Sequence, residues 1–78
     1  MEEFVIRSYA KCELALVYFP NASSSHTAVN MLMRWIYQNK KLMEELTSLG
    51  YKRDSKWFKP REVRAIVKHL GEPELEVE

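Results

Sequence analysis

Apolar residues fall along the chain in short blocks, and the spacing inside each block predicts an element. Phe4-Val5-Ile6-Arg7 is aromatic and β-branched, with Phe4 and Ile6 on one face, and predicts a short strand. From Lys11 to Phe19 only Lys11 and Glu13 are charged, so this run predicts a helix over 11–19 that is buried on most sides. Pro20-Asn21 stops it, and a loop follows through Ser25. A second helix is predicted over 27–38, with Ser25, His26 or Thr27 as its cap and Val29, Leu32, Met33 and Ile36 facing inward. A third, over 41–49, buries Leu42, Leu46 and Leu49, with Gly50 placed to end it in the left-handed conformation. Tyr51 and Trp57-Phe58 bracket a polar stretch rich in turn formers, which predicts a hairpin with a charged tip. Pro60 suits the first position of a last helix running to Leu70, closed by Gly71 and Pro73, with Val63, Ile66, Val67 and Leu70 inward. The expected fold class is therefore α+β and helix-rich. About four short helices accompany a short N-terminal strand and a hairpin, in a helix-turn-helix or winged-helix-like arrangement. Residues 1–71 are expected to form one compact domain, and 72–78 an acidic, disordered tail.

Size and composition sharpen this picture. A chain of 78 residues builds one core, and a domain this small buries only about 60% of the surface its unfolded chain exposes. Its 46% apolar residues, with two Trp, three Phe and four Tyr, suffice for such a core without disulfide or metal staples, though dimerisation would help. The single cysteine, Cys12, has no internal partner and sits in the apolar run, where a reduced thiol behaves as a small hydrophobe. No apolar run approaches about 18 residues, and the opening Glu2-Glu3 lacks the pattern of a secretory signal. A soluble, cytoplasmic protein that does not enter a membrane is expected.

The net charge of +1 hides an uneven distribution. Residues 34–68 carry ten bases against four acids, whereas residues 69–78 carry four acids and no Lys or Arg. A concentrated positive field attracts phosphate backbones or acidic protein surfaces, although a solvated face is the commoner meaning of such charges.

Two features point to nucleic acid. The first is the helix pair over 11–19 and 27–38, in which Ala15 offers a small residue for close approach and the outer face of the second helix presents His26, Thr27, Asn30, Met31 and Arg34. Asn suits an adenine edge and Arg a guanine edge. The second is the basic stretch Lys52, Arg53, Lys56, Lys59, Arg61, Arg64 and Lys68, placed like the wing of a winged helix to touch phosphates. Against this, the connection from Pro20 to His26 exceeds the three to four residues of the motif, and two packed helices need have no further meaning. Trp57 and Phe58 are expected in the core rather than as a stacking platform, and Trp35 likewise. The rival reading is a self-associating protein-interaction module using Met31, Met33 and Trp35.

No enzyme is expected. His26 and His69 have no His or Cys at ligand spacing, Ser24-Ser25-His26 are mere neighbours in a loop, and Gly50 and Gly71 form no phosphate loop. No metal, cofactor or small-molecule substrate is expected; the candidate partners are duplex DNA or a second copy of the chain.

The chain resembles a family of small Bacteroides proteins known only as a domain of unknown function. The resemblance covers nearly the whole chain. It rests on Ile6-Arg7-Ser8-Tyr9, Glu13-Leu14-Ala15, Tyr18-Phe19-Pro20, Ala28-Val29-Asn30 and Leu32-Met33-Arg34-Trp35-Ile36. It continues through Leu42-Met43-Glu44, Leu49-Gly50-Tyr51, Lys56-Trp57-Phe58, Pro60-Arg61-Glu62-Val63 and Leu70-Gly71-Glu72-Pro73. It implies no activity, since the family has no established one. The segment from Tyr9 to Ile36 is also similar to helix-turn-helix modules of mobile elements. Ala10 and Lys59 stand where that resemblance leads one to expect Ser or Thr caps, so the first and last helices are expected to fray at their starts.

Overall fold

A computed structural model describes residues 4–72. The expected acidic tail falls, from Pro73 onward, outside the described residues; Glu72 is exposed. In chain order the elements are β1 (Tyr9–Ala10), α1 (Lys11–Tyr18), α2 (Ser25–Gln38), α3 (Lys40–Ser48), β2 (Trp57–Phe58) and α4 (Pro60–Leu70). The α+β, helix-rich class holds, with four helices and one small antiparallel sheet among the described residues.

The helix ends are made by identifiable groups. Ser24 caps α2, its hydroxyl accepting from the Thr27 N–H at 3.1 Å, so the helix starts earlier than the predicted Thr27. Asn39 serves two helices: its N–H donates to Ile36 O and its Oδ1 accepts from Leu42 N–H at 3.0 Å. With that one residue between them, α2 and α3 have little freedom to pivot. Ala10 and Lys59 offer no capping oxygen, but Glu13 and Glu62 reach back to their backbone N–H groups at 3.4 and 2.8 Å. That is half of a capping box at each start, where fraying was expected.

The strand lies later than predicted, at Tyr9-Ala10 rather than Phe4 to Arg7. Among the described residues no second strand reaches the earlier segment. It folds back instead, with Phe4 stacked on Tyr9 at 5.4 Å between ring centroids and the Tyr9 hydroxyl donating to Val5 O at 2.7 Å. The predicted hairpin is also absent. Tyr51 N–H donates to Leu46 O and Gly50 N–H to Thr47 O, with Gly50 at φ 93°, so the backbone of Tyr51 closes α3 and does not begin a ladder. A turn follows, with Ser55 N–H donating to Lys52 O, and β2 pairs with the distant β1 in the register Tyr9↔Phe58 and Ala10↔Trp57.

The core gathers Leu14 and Ala15 of α1, Ala28, Leu32 and Ile36 of α2, Leu42 and Leu46 of α3, Phe58, and Val63, Ala65 and Ile66 of α4. Helices α1 and α2 form the most extensively packed pair, and a six-residue connection, Phe19 to Ser24, joins them. α1 is less enclosed than predicted: Cys12 and Leu16 are exposed, because only the side carrying Leu14 and Ala15 meets its neighbours. Trp57 also departs from expectation. Alternation along β2 buries Phe58 completely and turns Trp57 outward, 56% exposed. Across α3 and α4, Glu45 accepts from His69 at 2.9 Å and pairs with Lys68 at 3.8 Å; the His69 bond foremost holds its carboxyl below the usual range.

The Tyr18 hydroxyl donates to Gly71 O at 2.7 Å, joining the end of α1 to the end of α4. Burial, with the Glu72 carboxylate adding to it, pushes this hydroxyl from 10.0 up to about 12. The unfolded chain ionises first, so the stability contributed here is intact below pH 10 and is lost as pH rises toward about 12. Thermal unfolding midpoints taken at stepped pH should fall over that window. Tyr18→Phe should remove about 1 kcal/mol of the fall, allowing for the solvent that still reaches the ring.

Candidate nucleic-acid interface

Because α2 has one buried stripe (Ala28, Leu32, Met33, Ile36), its opposite side is open. His26, Asn30, Arg34 and Tyr37 follow one another there at helical spacing, all exposed. Asn30, Met33, Arg34, Tyr37 and Gln38 line a shallow groove of about 470 Å³. Thr27 does not join them. It is half-buried, and its hydroxyl accepts from Ser24 Oγ at 3.0 Å as part of the helix cap. His26 lies two turns before Arg34, about 12 Å away along the axis.

The loop after α3 meets this face. The Arg53 guanidinium sits 4.8 Å from the centroid of the Tyr37 ring, one turn beyond Arg34. Two bonds from Lys11 hold the loop in place: its Nζ donates to Arg53 O at 2.8 Å and its backbone N–H to Lys56 O at 2.9 Å. The Lys11 ammonium also lies 5.1 Å from the Tyr51 ring, and partial burial pushes its pKa down. Beneath the loop, the Tyr51 hydroxyl approaches Met33 Sδ at 4.0 Å, and burial pushes that hydroxyl up.

The nine predicted site residues thus separate. Asn30, Arg34 and Arg53 come together, with Lys52 and Lys56 exposed on the same short loop. Arg61 and Arg64 are exposed on α4, which packs on α3, and neither lines the groove. Among the described residues the ion pairs are Arg7–Glu13, Lys68–Glu45 and His69–Glu45. Arg34, Lys52, Arg53 and Lys56 therefore have no carboxylate at salt-bridge distance among those residues.

Sequence reasoning placed Gln38 on the open side of α2 with Asn30 and Arg34, where it lines the groove, but missed Tyr37 and Lys11. Tyr37 carried a signal, since it stands seven residues after Asn30 on the same face; the reach of Lys11 to Arg53 had none. The rival surface is altered too. Met33 is only 9% exposed, lying under Tyr51, whereas Met31 and Trp35 are exposed and Trp35 meets the edge of Phe19 at 4.8 Å. No group of three His, Cys, Asp or Glu is placed to hold a metal ion among the described residues, and no helix there is long and apolar enough to cross a membrane.

These features define a small helix-rich α+β domain with a cationic loop laid against the open face of its longest helix. Over residues 5–73 the chain matches, and belongs to, the family described as a domain of unknown function, DUF4248. No curated protein and no solved structure matches it.

Proposed function

We propose that this domain binds duplex nucleic acid, with α2 laid toward a groove and the 52–56 loop on the adjoining phosphates. The observation that carries the reading is the Arg53–Tyr37 contact at 4.8 Å, which sets the loop cations beside Asn30 and Arg34. Asn and Arg are the side chains that read adenine and guanine edges bidentately, and the loop cations, with no carboxylate at salt-bridge distance among the described residues, suit phosphates. The role is binding rather than catalysis, in a reducing, cytoplasmic setting. Arg61 and Arg64 contribute general attraction from α4 and no direct contact.

Fluorescence anisotropy with labelled mixed-sequence duplexes tests this. If about four cations displace counterions, affinity should fall on the order of a hundredfold between about 50 and 200 mM salt. A duplex that fails to bind at the lowest salt disposes of the reading.

A second reading rests on the exposed Met31 and Trp35, an apolar edge beside the polar stripe of α2. It makes the domain a self-associating module. Light scattering that finds a dimer, in a protein without affinity for DNA, selects it.

A further inference from the structure

We propose that Trp57 is a stacking contact for an unpaired nucleobase, with Lys59 beside it to meet the adjoining phosphate. The inference rests on the nucleic-acid reading for its class of ligand, but it concerns a different element and a single-stranded ligand.

A small domain gains most from burying its large aromatics, yet Trp57 is 56% exposed, and the position is set by the backbone. Phe58 takes the inward place on β2, so its neighbour must face out. The cross-strand partner is Ala10, whose methyl group is too small to cover an indole. The Trp57 backbone is held on both sides by Ser55, whose hydroxyl donates to Trp57 O at 2.9 Å and accepts from Trp57 N–H at 3.3 Å. The ring is thus presented on a fixed support with an open face.

The charges around it have the matching sign. Lys59, two residues after Trp57, is extended, at φ −75° and ψ 161°, at the start of α4. Lys56 precedes Trp57, and both lysines are exposed, with no carboxylate at salt-bridge distance among the described residues. An apolar ring flanked by ammonium groups suits a base and its phosphate, because every base has a π-face while the cations follow the backbone. A duplex keeps its bases stacked on each other, so the ligand that can use this ring is single-stranded.

Trp35→Phe leaves Trp57 as the only indole and provides the reporter. On titration with a labelled oligothymidylate at low salt, Trp57 emission should be quenched in step with the rise in anisotropy. Trp57→Ala should weaken strand binding about tenfold and Trp57→Phe much less, with duplex affinity unchanged for both. The proposal is overturned if the strand binds without quenching, if Trp57→Ala binds it equally well, or if Trp57→Ala instead changes the oligomeric state. Duplex binding without strand binding removes this inference and leaves the α2 reading standing, whereas binding of neither removes both.

Discussion

Phe58→Ala should leave little of the protein folded at room temperature, whereas Trp57→Ala, one residue earlier, should barely move the melting curve. Phe58 is fully buried, stacks on Tyr51 at 5.5 Å between ring centroids and pairs across the sheet with Tyr9. It joins the two-stranded ribbon to the core shared by the helices. Removing a buried phenyl ring costs about 3–5 kcal/mol, in lost transfer energy and in the cavity left behind. A domain of this size has a total stability on the order of 5 kcal/mol, so the loss is comparable to the whole. Trp57 gives up exposed surface, and such substitutions stay within about 0.5 kcal/mol. Urea unfolding followed by circular dichroism separates the two variants. Equal destabilisation by both would mean that β2 does not present its side chains as described.

Arg34→Ala should change which duplexes are bound, while Lys56→Ala should weaken all of them alike. Arg34 stands on the open side of α2 between Asn30 and Tyr37, on a helix that can enter a major groove. A bidentate arginine–guanine contact is worth about 1–3 kcal/mol of discrimination at one base position. Lys56 sits on the loop, where in the proposed complex its ammonium group would meet phosphates, which carry no sequence information. Its loss should lower the salt slope by about one and leave the ranking of sequences intact. A panel of duplexes differing at single positions, measured by anisotropy with both variants, makes the comparison. Uniform weakening by Arg34→Ala would show that α2 touches only the backbone.

Much of the architecture was legible because helix signals are local. The spacing of Leu32, Met33 and Ile36, the Gly50 stop after α3 and Pro60 at the first position of α4 each act within a few residues. The small sheet was not legible. Its strands are two residues long and lie nearly fifty residues apart, and the Tyr51 N–H that would begin a hairpin is already bonded to Leu46 O. The candidate site was legible in part. Asn30 and Arg34 followed from helical spacing, but the arrival of Arg53 at Tyr37 depends on Lys11, which is forty-two residues from Arg53 in the chain.

The sequence by itself determined that the described residues form four helices, where most of them stop, and that the cations cluster in the second half of the chain. Periodicity, caps and charge act over distances that neighbouring residues can specify. Only the tertiary structure decided which of two adjacent aromatics, Trp57 or Phe58, is buried, and which bases share a face with α2. Both outcomes follow from β1 pairing with β2 and from Lys11 holding the loop. Such contacts join segments far apart in the chain, and their geometry exists only once the core has closed.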